Sequence, residues 1–234
     1  MLVVITGASQ GIGYAVAEAF AAEGHTLCIG SKTAARLKEA AESLIKKYPT
    51  ATIHSRQADL AKPEDCKTFG SWCLSFGIPS ILINNAGFFL PGNLMQEEQG
   101  ILDLESQIAA NLYSAYHTSR AIVPAMIKAG SGHIFNICSI ASLQAYTQGG
   151  SYSISKYALD GFSKNLREEL KDKGIKVTGV YPGATYTNSW AGSGVEPSRI
   201  MESNDIATMI VAASKLSPQA VVEDIVMRPL LGDL

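Results

Sequence analysis

Short apolar segments alternate with longer segments of helical periodicity along the chain, and this alternation restricts the fold more than any other feature of the sequence. Seven short segments rich in β-branched residues predict strands: residues 2–6, 26–30, 51–56, 80–84, 132–138, 175–180 and 221–227. The helical patterns between them cover residues 11–24, 33–48, 63–76, 101–129, 151–173 and 201–216. Because strand–helix–strand crossovers are right-handed, we expect an α/β fold with a doubly wound parallel sheet and helices on both faces.

Composition places the chain among globular proteins and excludes two classes of partner. Its 234 residues are 47% hydrophobic and 17% charged, which suits a single domain over residues 1–234. A formal net charge of −2 provides no positive field for nucleic acid or an anionic membrane. No apolar run approaches the roughly 18 residues of a membrane span, so we expect a soluble cytoplasmic protein.

Cysteine and histidine residues are scattered rather than clustered. The four cysteines form no CxxC pair, and a chain of this size does not need disulfides to fold. The four histidines show no metal-ligand spacing. We therefore expect free thiols and no metal site.

A glycine-rich turn, Thr6-Gly7-Ala8-Ser9-Gln10-Gly11-Ile12-Gly13, joins the first predicted strand to the first helix. Ligands of doubly wound sheets bind at the carboxyl ends of the strands, where this turn lies. Glycines permit a sharp turn and a close approach, and the N–H groups of a helix start bind anions. The turn therefore predicts a pyrophosphate-binding site, with a plain βα turn as the alternative.

Tyr152 and Lys156 are four residues apart on a predicted helix, so they share one face. A phenol with a pKa near 10 is a poor source of phenolate, and a nearby ammonium lowers that pKa by favouring the anion. The pair can therefore serve proton transfer. Because such a pair also arises by chance, the surrounding motifs decide whether it is functional.

That context consists of polar motifs near the ends of predicted strands. Ser139 follows the fifth strand, Asn84-Asn85-Ala86-Gly87 follows the fourth, and Pro182-Gly183-Ala184-Thr185-Tyr186-Thr187 follows the sixth. Asn111 lies inside the long helix, where asparagine is a poor helix former. Taken singly, Ser139 is equally a strand-end hydroxyl, and Asn111 is equally a buried polar residue with a local hydrogen bond.

Together these motifs, in this order over residues 6–187, resemble the short-chain dehydrogenase/reductase family. The resemblance implies a Rossmann-type fold, a nicotinamide cofactor and a carbonyl reductase or alcohol dehydrogenase activity. It implies that Tyr152 is the acid in reduction and the base in oxidation, and that Ser139 stabilises charge on the substrate oxygen. Lys156 would bind the nicotinamide ribose and lower the tyrosine pKa, and Asn111 would hold a water that relays protons.

The resemblance also implies cofactor contacts beyond Tyr152 and Lys156. They come from the glycine turn, the segment after the third strand, and the turns after the fourth and sixth strands: Gly7, Ser9, Gln10, Gly11, Ile12, Gly13, Asp59, Leu60, Asn85, Ala86, Gly87, Pro182, Gly183, Thr185 and Thr187. For Asp59 a helix-capping role is the alternative.

The end of the second strand favours NADP(H) over NAD(H). An acidic residue there would bond the ribose 2′-hydroxyl and repel a 2′-phosphate. The sequence instead has Ser31 and Lys32, a hydroxyl and a cation suited to a phosphate. NAD(H) remains possible, because Lys32 can equally be a solvated residue and Gln10 is neutral where NADP-preferring relatives carry a base.

Residues 183–199 form the longest irregular segment, and we predict a substrate-binding loop or lid over residues 184–203. We expect the substrate to contact Ser139, Tyr146, Tyr152, Tyr186 and Trp190, with Gly192-Ser193-Gly194 as a hinge and Phe88, Phe89 and Leu143 facing the same cleft. This lining favours a ketone or aldehyde with an apolar body, and among the substrates of relatives a 3-oxoacyl or short 3-hydroxy acid type.

Assembly and alternative functions follow from the same resemblance. The helices after Ile101 and Ser151 would form the interface of a homodimer or homotetramer. A non-catalytic sensor that binds NAD(P) is the alternative function, although such proteins usually lose part of the Ser–Tyr–Lys set. A dehydratase or epimerase would need a larger C-terminal domain.

Overall fold

The computed structural model describes residues 1–95, 100–187, 190 and 194–234. Its strands are β1 (Leu2–Thr6), β2 (Thr26–Ser31), β3 (Thr52–Gln57), β4 (Ile81–Asn84), β5 (Gly132–Ile137), β6 (Ile175–Pro182), β7 (Thr185–Tyr186), β8 (Met201–Glu202) and β9 (Asp224–Met227). Its α-helices are α1 (Gly11–Ala22), α2 (Ala34–Lys47), α3 (Pro63–Leu74), α4 (Gly100–Ile108), α5 (Ser114–Ala129), α6 (Gly150–Leu170) and α7 (Ser203–Ser214).

The main sheet has seven parallel strands in the order β3-β2-β1-β4-β5-β6-β9. The strand order reverses between β1 and β4, so a crevice opens there at their carboxyl ends. The predicted α/β fold with a doubly wound, Rossmann-type sheet is confirmed.

Side chains of β1 alternate between two separate cores on the two faces of the sheet. Val3 and Ile5 pack with residues of α1, α2 and α7. Leu2 and Val4 pack with residues of α3, α5 and α6. Burial on both faces explains why the strand reads as a continuous apolar run instead of alternating with polar residues.

The pattern over residues 101–129 is not the single helix that its periodicity predicts. Helix α4 passes at Ala109–Tyr113 into a π-helical turn, where the Ser114 amide donates to the Ala109 carbonyl, and α5 follows. Pro124 lies inside α5 without ending it. Single π-helical turns occur inside α-helices mostly at functional sites, and this one carries Asn111.

The other differences concern the ends of elements and a small second sheet. β7 and β8 pair in parallel and tie the two ends of the segment between them together. The last helix begins at Ser203 instead of residue 201, because the Glu202 and Asp205 side chains cap each other's backbone N–H groups. Predicted strand 221–227 shortens to Asp224–Met227.

All four cysteines are free and buried. Burial raises the pKa of Cys66 to about 11 and that of Cys138 to about 12. Among the described residues, none of the helices has the length and apolarity to cross a bilayer.

His133 is buried in β5 in its neutral form. Its Nε2 atom lies 2.8 Å from Thr178 Oγ1, whose own proton goes to the Val222 carbonyl 2.6 Å away, so Nε2 donates. His133 Nδ1 has no hydrogen-bond partner within the described part of the chain. Burial, with a smaller effect of the Lys176 charge, lowers the pKa of His133 from 6.5 to about 3.

We predict that the free energy of unfolding falls as the pH drops below 6.5, because the buried His133 resists protonation in the folded state. Because the folded-state pKa is depressed, its contribution is fully present above pH 6.5 and is lost as the pH falls toward 3. Between pH 7 and pH 5 this loss is about 2 kcal/mol of unfolding free energy. Urea unfolding at both pH values measures it, and His133→Gln should remove about that much of the pH dependence. An unchanged pH dependence in the variant would contradict the assignment.

Candidate active site

The glycine turn between β1 and α1 is held in a conformation that glycine requires. Gly7 has φ of +67°, in the left-handed region. A Cβ on Gly13 would lie 2.4 Å from the Gly7 carbonyl oxygen and 2.3 Å from Asn85 Nδ2. The backbone therefore folds back on itself at the crevice, where a pyrophosphate would need close approach.

The turn after β4 supports this glycine turn from the neighbouring strand. Asn85 Nδ2 donates to the carbonyls of Thr6 (3.0 Å) and Gly7 (3.1 Å). The backbone amides of Asn85 and Ala86 both donate to Thr6 Oγ1 at 2.9 Å. Asn85 and Ala86 are thus brought beside the glycine turn at the point where the strand order reverses.

The end of β2 meets the glycine turn through two hydroxyls. Ser9 Oγ and Ser31 Oγ lie 2.9 Å apart. Lys32 Nζ lies 3.2 Å from Asp59 Oδ2, and Lys62 Nζ lies 3.9 Å from the same oxygen. Asp59 therefore forms ion pairs, whereas Leu60 is buried in the core with Cys66 and Phe69. The residue that precedes α3 is Lys62, so Asp59 is not the N-cap of that helix.

Ser139, Tyr152 and Lys156 meet at the carboxyl end of β5. Ser139 opens a short 3₁₀ turn, where its hydroxyl accepts from the Ala141 amide at 3.1 Å. Lys156 is buried, and its Nζ lies 5.7 Å from the centre of the Tyr152 ring. Lys156 Nζ donates to the Ile137 carbonyl at 2.8 Å. The structure thus brings the three predicted catalytic side chains together.

The pKa values of this group differ from the sequence expectation. Burial raises the pKa of Tyr152 to about 12, although the Ser139 side chain lowers it by hydrogen bonding. Burial also lowers the pKa of Lys156 to about 8. Burial is the largest cause of both shifts, and the Lys156 amine is already neutral at the pH at which a phenol with a pKa near 12 ionises.

Asn111 and Gln107 bind the backbone of the segment after Gly87. Asn111 accepts from the Phe88 amide (2.9 Å) and donates to the Phe88 carbonyl (3.1 Å). Gln107 makes the same pair of bonds with Leu90, each at 3.3 Å. The second N–H of Asn111 goes to Ser155 Oγ at 2.8 Å. Both N–H groups of Asn111 are therefore engaged, and neither is available to the water expected there.

The loop after β6 reaches the glycine turn. The Gly183 amide donates to the Met227 carbonyl at 2.8 Å, and Thr185 Oγ1 donates to the Gly183 carbonyl at 2.9 Å. Thr187 lies against the glycine turn, since a Cβ on Gly11 would meet its Cγ2 at 3.2 Å. Pro182 ends β6 and fixes the point at which this loop begins.

Aromatic side chains surround Tyr152. The Phe89 ring packs edge-on against the Tyr152 ring with 4.9 Å between centroids, and Tyr146 is close enough for its charge to affect the Tyr152 pKa. Tyr186 is exposed, and the Trp190 amide donates to the Thr187 carbonyl. Of the expected hinge, Gly192 and Ser193 lie outside the described residues.

Several contacts of this site were not predicted from the sequence. Gln107 precedes Asn111 by one helical turn, a spacing that could have indicated two amides on one face. Ser155, which joins Asn111 to α6 and donates to the Tyr152 carbonyl at 2.7 Å, carries no such signal. Neither does Arg36, whose Nη1 lies 3.3 Å from Gln10 Oε1.

Comparisons with known proteins agree with the geometry. The family model of short chain dehydrogenases matches residues 1–196. Sepiapterin reductase from Chlorobaculum tepidum is 32% identical over 244 aligned residues, which cover all of this chain and 98% of that protein.

Solved structures agree over the same length. One is an alcohol dehydrogenase from the archaeon Thermococcus sibiricus complexed with 5-hydroxy-NADP (TM-score 0.87, 26% identity, 98% of this chain and 96% of that one). Another is L-sorbose reductase from Gluconobacter frateurii complexed with NADPH and L-sorbose (TM-score 0.88, 28% identity, 97% and 94%). The chain therefore belongs to the short-chain dehydrogenase/reductase family of oxidoreductases.

Proposed function

We propose that this protein is an NADP(H)-dependent oxidoreductase that reversibly reduces a ketone or aldehyde to an alcohol. The observation that carries the proposal is the convergence of Ser139, Tyr152 and Lys156 at the carboxyl end of β5, on the same edge of the parallel sheet as the glycine turn. A sensor that only binds the dinucleotide would not require a buried phenol and ammonium, whose desolvation is costly.

The crevice fits a dinucleotide. Glycines at positions 7, 11 and 13 add no side chains of their own to the path of a pyrophosphate, and the Ser9–Ser31 hydroxyl pair suits a ribose or its phosphate. Thr187 and Asn85 stand on either side of that turn. The two solved relatives contain NADP-type ligands, which supports NADP(H) for this chain.

The hydride and the proton of this reaction come from different groups. A nicotinamide bound in the crevice would supply the hydride for the carbonyl carbon in reduction and would accept it from the alcohol carbon in oxidation. In reduction Tyr152 gives its phenolic proton to the carbonyl oxygen, and in oxidation the phenolate takes it back. Ser139 donates a hydrogen bond to the same oxygen and stabilises its developing charge.

Lys156 must leave the Ile137 carbonyl to assist this reaction. Directed at a ribose hydroxyl and the phenol, its ammonium would favour the phenolate and bring the Tyr152 pKa below 12. The backbone of β5 thus holds the cation close to its place of action.

The walls of the cleft favour a substrate with an apolar body. Phe89 and Tyr146 lie near Tyr152 and are partly exposed, and the neighbouring segments present the exposed side chains of Phe88 and Leu143. We assign residues 184–203 to substrate binding. A 3-oxoacyl or short 3-hydroxy acid substrate meets this description. Tyr113 and Tyr116, in and just after the π-helical turn, leave large aromatic surface exposed, and we propose a homodimer or homotetramer in the cytoplasm.

Tyr152→Phe should abolish turnover without abolishing cofactor binding. Removing one hydroxyl removes the transferred proton, so kcat should fall at least about 10²-fold. Turnover of a carbonyl panel, followed at the nicotinamide absorbance, tests this. Tyr157→Phe, an exposed tyrosine of the same helix, is the control and should retain activity. Undiminished activity in Tyr152→Phe would defeat the mechanism.

Ser139→Ala should move the pH profile of alcohol oxidation to higher pH. The Ser139 hydrogen bond lowers the Tyr152 pKa, so its loss raises that pKa and the phenolate forms only at higher pH. The measurement is kcat/KM against pH for the wild type and the variant. Ser153→Ala, next to Tyr152, is the control and should leave the apparent pKa in place. A shift to lower pH in Ser139→Ala would be incompatible with this role.

Phe89→Ala should discriminate between substrates. Edge-on aromatic pairs are worth about 0.5–1.5 kcal/mol beyond the area that they bury. With substrate contact also lost, kcat/KM for acetophenone should fall by about 10-fold, and that for 2-butanone by less. Phe76 is equally exposed, at 41%, but stacks on His54 elsewhere, so Phe76→Ala is the matched control. Equal losses for both ketones would argue against a specificity role for Phe89.

A further inference from the structure

Arg36, in the first turn of α2, reaches the glycine turn. Its Nη1 lies 3.3 Å from Gln10 Oε1, and Gln10 follows Ser9, whose hydroxyl touches Ser31 at the end of β2. The guanidinium therefore lies beside the junction of β2 with the glycine turn. In doubly wound dinucleotide-binding folds this junction faces the ribose of the adenosine, where an acid selects NAD and an arginine accommodates the 2′-phosphate of NADP.

Lys32 and Arg36 differ in how far nearby carboxylates neutralise their charges. Lys32 shares Asp59 with Lys62, so part of its charge is neutralised. Within the described ranges no carboxylate lies within ion-pair distance of Arg36, whose guanidinium donates to the neutral Gln10 amide. Lys32, Lys62 and Arg36 outnumber the carboxylates of Asp59 and Asp65, which lie together, and leave one net positive charge to attract a phosphate monoester.

We propose that Arg36 is the principal contact for the 2′-phosphate of NADP(H), with Lys32 in a secondary role. This inference rests on the proposed function and deepens it, because it names the residue that selects the cofactor. A guanidinium presents a rigid fork of donors that can bond two phosphate oxygens at once, whereas a lysine acts as a point charge. The Gln10 side chain holds the Arg36 guanidinium beside the glycine turn. The turn itself, residues 6–13, contains no basic residue.

Binding measurements distinguish the contribution of Arg36 to cofactor affinity from that of Lys32 and from the effect of net positive charge. Wild type, Arg36→Met, Lys32→Met and Lys38→Met are titrated with NADPH and with NADH by nicotinamide fluorescence. Calorimetry with adenosine 2′,5′-bisphosphate and adenosine 5′-monophosphate repeats the comparison without a nicotinamide. Lys38 is the matched control, since it is an exposed cation of the same helix that pairs with Glu42. Thermal unfolding verifies that each variant is folded.

We expect Arg36→Met to weaken the binding of NADPH and of the bisphosphate at least about 10-fold. The affinity for NADH and for the monophosphate should change less than about 2-fold. The loss of NADPH affinity should exceed the loss caused by Lys32→Met. Equal weakening of NADPH and NADH would overturn the proposal, because Arg36 would then only support the turn. An unchanged NADPH affinity, or a loss confined to Lys32→Met, would overturn it too. A wild type that binds neither dinucleotide would overturn the proposed function itself.

Discussion

One buried hydroxyl joins the two strands on which the candidate site depends. Thr6 Oγ1 donates to the Ile83 carbonyl of β4 and accepts from the amides of Asn85 and Ala86. These bonds use its donor and both lone pairs, and the residue is almost fully excluded from solvent. A buried hydroxyl saturated in this way specifies one arrangement of its neighbours, because any other leaves unpaired polar groups. The turns after β1 and β4 therefore keep a fixed separation where the strand order reverses.

A second set of hydrogen bonds connects the turn after β4 to the helix that carries Tyr152. The turn after β4 leads into the segment bound by Asn111, and Asn111 is bonded through Ser155 to the backbone of α6 that carries Tyr152. The π-helical turn at Ala109–Tyr113 contains Asn111. The crevice between β1 and β4 and the backbone that carries Tyr152 are thus parts of one connected hydrogen-bond network.

Hydrophobic periodicity predicted the sheet, because burial on both faces leaves a strong local signal in segments such as Leu2–Thr6. The residues at the ends of the strands were predicted from motif spacing and a family resemblance. Local sequence contains no comparable signal for the π-helical turn or for the pairing of β7 with β8. Arg36 was missed for the same reason: its contact with Gln10 joins residues 26 apart and exists only after folding.

The binding of residues 88–90 has a consequence for how this scaffold can diversify. Asn111 and Gln107 contact only main-chain groups of Phe88 and Leu90, so they hold the segment whatever side chains it carries. The ring between these two anchors packs on Tyr152. The side chain at position 89 can therefore be exchanged while the backbone path and the position of Tyr152 are kept, so the surface beside that phenol can vary independently of the phenol itself.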